Sequence, residues 1–555
     1  MALTVALING PVDVRAVTEV KLTASDAAEG NLFGTSVAVS GEVAIVGARW
    51  DDDAGLGSGS AYVFQRDEGG ADNWGEVAKL IASDAAADDR LGTSAAVSGG
   101  VAIVGASHHN GVNTDTGSAY VFQRDEGGAD NWGEVAKLTA SDTAFGDLFG
   151  GAVSINGDTA IVGADRKGND TGSAYVFQRD EGGADNWGEV VKLIASDAAL
   201  GDFFGDSVAV SGELAIVGAP GGDSAYIFQR DEGGADNWGE VVKLIASDAA
   251  EGDAFGTSVA LNGEVAIVGA SNNDDAGNAS GSAYVFQRDE GGADNWGEVA
   301  KLMASDAAVD DKFGTSVAVS SELAIVGSPF AEDNSGTAYV FQRDEGGADN
   351  WGEVEKLTAS DAALGDFFGD SVAVSGEVAI VGASYNDDAG NASGSAYIYL
   401  EPGVCSETLG IDQCKLKPRF RKVVTKPDKL VLSCKVLDTT VAVGGIDPSL
   451  EQLLFKLDDS GGACFTATTD PADCVEKNGS YKCKPPRGTV PFVKLKIKPD
   501  RRNPGSYKFK YKAKDADLQC LQVAETPWTM EVEIGDDCGQ VACLSSGNRF
   551  ECPGP

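Results

Sequence analysis

Loop segments of this sequence hold most of the side chains that could bind a ligand. Six of them are aromatic or basic and follow strand-like apolar runs: Trp50, His108, His109, Arg166, Phe330 and Tyr385. Aromatic and arginine side chains supply much of the energy of binding surfaces, so this group predicts a ligand-binding surface. The sequence leaves open the alternative that the aromatic rings only pack against neighbouring loops.

The two adjacent histidines could ligate a metal or act as a general base. They lie in a variable polar loop, however, and are the only histidines of the chain. This context favours a solvated pair without a chemical role.

Acidic side chains recur in a second kind of loop, where an Asp is followed five residues later by an Asp or Asn. Asp197 with Asp202 and Asp361 with Asp366 are two such pairs. Oxygens at this spacing could share a calcium ion. Asp also caps turns by accepting backbone hydrogen bonds, and the sequence favours this second interpretation. No cofactor is required, and calcium is the one that these loops could hold.

Sequence motifs for catalysis are missing. The chain has no Gly-x-Ser-x-Gly turn, no phosphate-binding Gly-rich loop and no His-Glu-x-x-His pair. We therefore expect a protein that binds or assembles, and no enzymatic activity.

A long repeat determines the architecture that must position these loops. The motif Lys-Leu-x-Ala-Ser-Asp begins at Lys21, Lys79, Lys137, Lys192, Lys243, Lys301 and Lys356. Each unit contains four short strand-like runs separated by turn residues, as in 35–40, 42–46, 60–65 and 74–80. Seven such units predict an all-β, seven-bladed propeller.

The two ends of the repeat are complementary. The seventh unit stops after the run 395–400 and lacks the fourth strand that begins with Trp-Gly-Glu-Val in the other six. Residues 17–23 match the end of that missing strand. They are predicted to complete the seventh blade and to remove an open sheet edge.

The two faces of the predicted propeller differ. On one face, the stretch that begins with Arg-Asp-Glu-Gly-Gly and ends with Trp-Gly-Glu-Val is repeated six times without change, first at Arg66. Its tryptophan, Trp74 in the first unit, is predicted to pack between blades. On the other face, the loops vary in length and residue type, as expected where a rigid scaffold carries recognition. The six aromatic and basic candidates belong to that variable face.

The repeat resembles a known family. A Phe-Gly pair precedes the first strand, as in Phe33-Gly34 and Phe149-Gly150, and Gly-Ala closes the second strand. These features resemble FG-GAP repeats, the blades of integrin α-subunit propellers and of many secreted bacterial proteins. Calcium-binding members carry an acidic loop between the first two strands, where this chain has a tight turn such as 40–42. The calcium site of those members is therefore not expected here.

Composition changes sharply near residue 404. Residues 405–555 hold 23 Lys and Arg and 20 Asp and Glu, which leaves 19 and 66 for residues 1–404 and a formal charge of −47 there. That charge excludes nucleic acid and anionic membranes as partners. The last segment also contains all the cysteines: Cys405, Cys414, Cys434, Cys464, Cys474, Cys483, Cys520, Cys538, Cys543 and Cys552.

An even, dense set of cysteines predicts five disulfides and an oxidising compartment. Alternating runs such as 429–436 and 490–498 predict a small immunoglobulin-like β-sandwich. The predicted organisation is an N-terminal segment, 1–16, which could donate a strand, a propeller, 17–403, and a cysteine-rich domain, 404–555. No stretch is apolar enough for a transmembrane helix.

These features predict a secreted or cell-surface adhesion or interaction protein that binds a protein or glycan ligand through its variable face. A leader for export is not visible in the chain. One alternative is an extracellular filament subunit, in which residues 1–20 pair with a neighbouring copy. A carbohydrate-active enzyme on a propeller scaffold ranks third.

Overall fold

The computed structural model describes two compact units, residues 16–404 and residues 405–555 together with 1–15. Described residues are 18–400, apart from 71–72, 111–114, 127, 129–130, 184–185, 233, 235–236, 291, 293–294, 346–349 and 377, and eleven strands between residues 410 and 552. Each unit is considered by itself.

The first unit contains seven four-stranded antiparallel sheets, which are the seven predicted blades. Blades one to three are Phe33–Ser40, Val43–Ala48, Ser60–Arg66, Trp74–Leu80; Leu91–Ser98, Val101–Ala106, Ser118–Arg124, Trp132–Leu138; and Val153–Asn156, Thr159–Ala164, Ser173–Arg179, Trp187–Leu193. Blades four to six are Val208–Ser211, Leu214–Ala219, Ser224–Arg230, Trp238–Leu244; Phe255–Asn262, Val265–Ala270, Ser282–Arg288, Trp296–Leu302; and Ser316–Val319, Leu323–Ser328, Thr337–Arg343, Trp351–Leu357. Blade seven is Val372–Ser375, Val378–Ala383, Ser395–Leu400 and Thr18–Leu22.

The first strands of the seven blades contact one another in a closed ring, so they are the innermost strands. Short links of about two residues join them to the second strands, as between Ser40 and Val43, which confirms the predicted tight turns. Among the described residues, helix is confined to single turns after the second strands of blades three, four and six: Lys167–Asp170, the 3₁₀ turn Pro220–Gly222, and Ala331–Asn334.

The seventh blade is closed by the N-terminal strand. Thr18–Leu22 pairs antiparallel with Ser395–Leu400, with Thr18 opposite Leu400 and Leu22 opposite Ala396. Glu19 accepts hydrogen bonds from Ser360 and Tyr399, which fixes the strand at its outer position. The predicted closure is confirmed. The alternative in which residues 1–20 pair with a neighbour is wrong for Thr18–Val20, and residues 1–17 lie outside the described part.

Aromatic side chains fill the space between blades. Phe33 of the Phe-Gly pair lies 5.4 Å from Tyr62 and 6.0 Å from Phe64, measured between ring centroids, in edge-to-face geometry. Such pairs contribute about 0.5–1.5 kcal/mol each beyond the burial of their area. Trp74 is buried in a cluster that joins blades one and seven, so its predicted packing role is confirmed. Gly47 allows the close approach, because a β-carbon there would lie 2.2 Å from the carbonyl oxygen of Gly92.

A ring of ion pairs connects the blades on the side of the linkers. The lysine of each repeat pairs with the aspartate of the preceding repeat, at Nζ to Oδ2 distances of 2.5–2.7 Å: Lys79 with Asp26, Lys137 with Asp84, Lys192 with Asp142, Lys243 with Asp197, Lys301 with Asp248, Lys356 with Asp306 and Lys21 with Asp361. A buried tyrosine donates to the other oxygen of each aspartate, as Tyr62 does to Asp26 at 2.6 Å. Burial opposes the charge of Lys79, but its bonds with Asp26 and Asp53 outweigh this and raise its pKa. We name this set the Lys–Asp ring.

The second unit consists of antiparallel strands. Their bounds are Gly410–Leu416, Asp428–Leu437, Leu453–Asp459, Gly462–Thr469, Cys474–Glu476, Tyr481–Cys483, Phe492–Pro499, Ser506–Ala516, Trp528–Ile534, Asp537–Ser546 and Arg549–Cys552. They form a single eleven-stranded sheet, in which the order of the strands differs from their order along the chain. The register sets Cys414 opposite Cys434 and Cys552, and Cys474 opposite Cys483. The cysteine side chains lie outside the described part, so the disulfides stay predictions. The packing of side chains in this unit is likewise outside the described part, and the sandwich stays a prediction as well.

Candidate functional site

The variable face of the propeller is formed by two kinds of segment, the loops after the second strands and the linkers between blades. We name it the loop face. Its segments are joined by backbone hydrogen bonds: Arg90 N and Leu91 N donate to Gly57 O and Ser58 O at 3.1 and 3.0 Å. Phe367 N likewise donates to Asn334 O at 3.1 Å. The loop face is therefore a preformed surface, and little order has to be gained when a ligand binds.

Five of the six aromatic and basic candidates occupy equivalent positions on this face. Each is the second residue after the second strand of its blade: Trp50, His108, Arg166, Phe330 and Tyr385. The equivalent residues of blades four and five are Gly221 and Asn272. The scaffold is thus constant at this position while the side chain it presents varies.

A second variable position lies beside the first. The residue before each Phe-Gly or Leu-Gly pair has a left-handed backbone, with φ between 54° and 60°: Leu32, Arg90, Leu148, Phe203, Ala254, Lys312 and Phe367. A bulky residue there costs of order 1–3 kcal/mol and persists only where surrounding bonds impose it. Hydrogen bonds from their N–H groups to the preceding loop impose it here. Four of these side chains contact a candidate residue: Arg90, Phe203, Lys312 and Phe367.

Three aromatic rings from different segments form one continuous surface. Phe330 of blade six and Tyr385 of blade seven each contact Phe367 of the linker between them, with ring centroids 5.2 Å apart in both pairs. Phe330 and Tyr385 remain 39 % and 41 % exposed. We name these three rings the aromatic ridge. Lys312 borders it, with its Nζ 5.8 Å from the Phe330 centroid.

A basic cluster lies on blades one and two. The Arg90 guanidinium covers the Trp50 ring at 4.4 Å from its centroid, and its Nη1 lies 3.0 Å from Nε2 of His108. Burial lowers the pKa of His108, and the charges of Arg90 and Arg49 lower it further. Arg49 is the residue before Trp50 in the same loop, and we name Arg49, Trp50, Arg90 and His108 the basic cluster.

Arg166 is placed differently from Arg90. It is exposed, its Cζ lies 5.9 Å from the Phe203 centroid and its Nε lies 3.9 Å from Asp165. Desolvation by the surrounding protein, and then the charge of Asp165, raise the pKa of Asp206 to about 7. Part of the Asp206 side chain is nevertheless exposed to solvent. Burial also raises the pKa of Asp165.

The second histidine corrects an expectation. His109 is 5 % exposed, so the interpretation of a solvated pair is wrong for this residue. Its Nδ1 lies 3.0 Å from Asp89 and its Nε2 lies 2.7 Å from Lys137 Nζ. It occupies the place of Asp51, Asn273 or Asn386 in other blades, where a buried polar group borders the Lys–Asp ring. His109 is a structural residue of that ring.

The four aspartates considered for calcium have protein partners. Asp197 and Asp361 belong to the Lys–Asp ring. Asp202 accepts the N–H of Ala199 at 2.6 Å, and Asp366 accepts that of Ala363 at 2.8 Å. The second aspartate of each pair therefore caps a turn.

Among the described residues, one group of three carboxylates could hold a metal ion: Asp26, Asp51 and Asp53, with an oxygen of each within 4.8 Å of the others. Lys79 Nζ lies 2.6 Å from Asp26 and 3.1 Å from Asp51, and it also pairs with Asp53. Its ammonium contacts all three carboxylates and offsets one of their three charges.

Comparison with family models decides the family. A model described as FG-GAP repeat matches residues 17–64, 74–122, 132–177, 187–235, 238–286, 296–341 and 351–399, more than half of the chain. The chain belongs to the FG-GAP repeat family. Each match begins at the fourth strand of one blade, so Thr18–Leu22 takes the place of that strand for blade seven.

Solved structures have only a low similarity to this FG-GAP repeat protein. Sqt1 from Chaetomium thermophilum is 14 % identical, with a TM-score of 0.39 over 65 % of this chain and 81 % of that one. A putative 6-phosphogluconolactonase from Bacteroides fragilis is 11 % identical, with a TM-score of 0.38 over 59 % and 84 %. Sucrose-6-phosphate hydrolase from Lactobacillus gasseri is 8 % identical, with a TM-score of 0.24 over 82 % and 85 %.

A search of curated proteins found no significant relative of this FG-GAP repeat protein. None of the helices that the structure describes is long and apolar enough to span a membrane.

Four residues of the loop face were not predicted from the sequence: Arg49, Arg90, Lys312 and Phe367. A usable signal was present, because the residue before Phe-Gly changes type from blade to blade while the pair itself is nearly constant. The partner in the preceding loop, Trp50 for Arg90 and Phe330 for Phe367, lies 40 or 37 residues earlier in the sequence and can be found only from the fold.

Proposed function

We propose that this FG-GAP repeat protein acts outside the cell as a non-catalytic interaction protein, and that its loop face binds a protein or glycan partner. The propeller fold is consistent with such a role, and FG-GAP repeats are typical of extracellular proteins. The ten cysteines of the second unit support an oxidising location.

The observation that carries the proposal is the aromatic ridge. Its rings come from three segments that backbone bonds hold in place, and its two outer rings are partly exposed. Rigid aromatic side chains give large contact area for little loss of conformational entropy. They are therefore the residues expected to dominate the binding energy.

The test is a binding screen of the purified full chain on a glycan array and on a panel of extracellular matrix proteins. Phe330→Ala with Tyr385→Ala is expected to weaken binding at least tenfold, in keeping with the loss of two hot-spot residues. Val354→Ala is the matched control, because Val354 is 37 % exposed but lies on an outer strand. Binding that survives the double substitution, or no binding to any probe, would contradict the proposal.

A further inference from the structure

The basic cluster contains two arginines that form no salt bridge with a described carboxylate. The lysines of the Lys–Asp ring each pair with an aspartate, and Arg166 approaches Asp165. Within the part of the chain that the structure describes, neither Arg49 nor Arg90 has a carboxylate at salt-bridge distance. The neighbouring residues 111–114, which lie outside the described part, are Gly, Val, Asn and Thr and carry no acid.

The position of Arg90 is fixed by groups that leave its charge intact. A guanidinium can only donate, so His108 Nε2 accepts from Arg90 Nη1 and the imidazole carries its proton on Nδ1. That Nδ1–H donates to Ser107 Oγ at 3.0 Å. The lowered pKa of His108 agrees with this neutral form. Trp50 supports the guanidinium from its ring face.

Both arginines retain unused donors. The Nε atoms of Arg49 and Arg90 are buried and have no hydrogen-bond partner among the described residues. Burial raises the pKa of Asp370 and the charge of Arg49 opposes this rise, but Asp370 lies beyond salt-bridge distance of Arg49 and accepts a hydrogen bond from Ser384 Oγ at 2.8 Å. A partly buried cation without a salt bridge is costly. Because the Nε atoms are themselves buried, an anion gains binding energy by reaching the exposed part of these two side chains.

We propose that the basic cluster is a binding site for the acidic group of a saccharide, a carboxylate or a sulfate ester held by Arg49 and Arg90. The inference rests on the proposed role of the loop face and specifies the ligand of one part of it. Both arginines are partly buried, which suits a slender chain better than a flat protein surface. The charge of −47 on residues 1–404 repels anions that do not contact Arg49 and Arg90.

Calorimetric titration of the full chain at 150 mM salt tests the inference. The probes are a hyaluronan tetrasaccharide with carboxylates only, a chondroitin sulfate tetrasaccharide with both groups, neutral chitotetraose and a tetraglutamate peptide. We expect binding of one or both acidic saccharides and none of chitotetraose. Arg49→Gln with Arg90→Gln is expected to reduce that affinity at least tenfold, and Arg90→Lys, which keeps the charge but loses the planar fork, severalfold.

Arg124→Gln is the matched control, since it removes an arginine at the end of the third strand of blade two, away from the loop face, and it should leave the affinity unchanged. Equal binding of chitotetraose, binding of tetraglutamate alone, full affinity in the double variant or no binding of any probe would each overturn the inference. Failure here is separable from failure of the proposed function. The Phe330→Ala, Tyr385→Ala variant should still bind the acidic saccharide, and the Arg49→Gln, Arg90→Gln variant should still bind the partner of the aromatic ridge.

Discussion

At the scale of single residues, the loop face is built on strained backbone. Leu148, Phe203 and Phe367 adopt a φ of 55°, a region that glycine enters freely and larger residues avoid. The strain is tolerated because each of these residues donates its N–H to the preceding loop. Its benefit is geometric, since a side chain at this position reaches the variable residue of that loop.

Asp206 should make the stability of the propeller depend on pH. Its folded-state pKa of about 7 lies above the value of about 3.9 for an unfolded chain, so the folded state binds more protons between pH 4 and 7. Stability from this group is therefore lost as pH rises through that window. We expect Asp206→Asn to raise the melting temperature by about 1–2 °C at pH 7.5 and to leave it unchanged at pH 4.

A matched variant is Asp206→Thr, because blade one has Thr35 at the same position. Thr35 is uncharged, and its hydroxyl donates to Leu32 O at 2.8 Å. It should be at least as stable as Asp206→Asn at pH 7.5. Parallel melting curves of the wild type and both variants at pH 4 and pH 7.5 would count against the raised pKa.

At the scale of elements, the closing strand joins the chain ends through several independent contacts. Leu22 is buried, Lys21 completes the Lys–Asp ring, and Glu19 holds Ser360 of the last linker. In the other six blades, the glutamate of Trp-Gly-Glu plays the part of Glu19, as Glu76 does with Ser25. The strand thus repeats the outer strand of every other blade.

Deleting residues 1–22 should therefore expose the edge strand Ser395–Leu400, lower the melting temperature by several degrees and promote association through that edge. Differential scanning calorimetry and size-exclusion chromatography measure the two effects. Deleting residues 1–15, which spares the strand, is the control and should behave as the full chain does. A monomeric 1–22 deletion that melts with this control would show that closure contributes little.

The strands were predictable because alternation and repetition both mark them. The fourth strand, Trp74–Leu80, agrees with the predicted run 74–80, whereas the first begins at Phe33 and not at residue 35. A bulge between Phe33 and Ser36 breaks the alternation there, so the pattern hides the start of the strand. The candidate site was predictable in its loop residues only. Arg90 and Phe367 contact residues of the preceding blade, which the sequence does not reveal. His109 is buried because it lies where other blades have a buried aspartate or asparagine.

At the scale of the whole molecule, the propeller must accommodate a charge of −47 on residues 1–404. Seven aspartates are neutralised by the lysines of the Lys–Asp ring. Further acids, identical in six of the units, belong to the loops that join the third and fourth strands. Self-repulsion of this kind destabilises a compact state, and salt screens it over a Debye length of about 10 Å at 0.1 M.

Cation specificity separates diffuse screening from bound calcium. Asp197 and Asp361 are neutralised by Lys243 and Lys21, so we expect sodium and calcium at equal ionic strength to raise the melting temperature of the propeller by similar amounts. Lys79→Met is the matched control, because it removes the ammonium from between Asp26, Asp51 and Asp53. That variant should gain an additional, EDTA-sensitive stabilisation by millimolar calcium, which follows from preferential binding to the folded state. A large calcium-specific rise in the melting temperature of the wild type, abolished by Asp197→Ala with Asp202→Ala, would contradict this expectation. It would show that the linkers bind calcium and that the ion displaces the lysines from their aspartates.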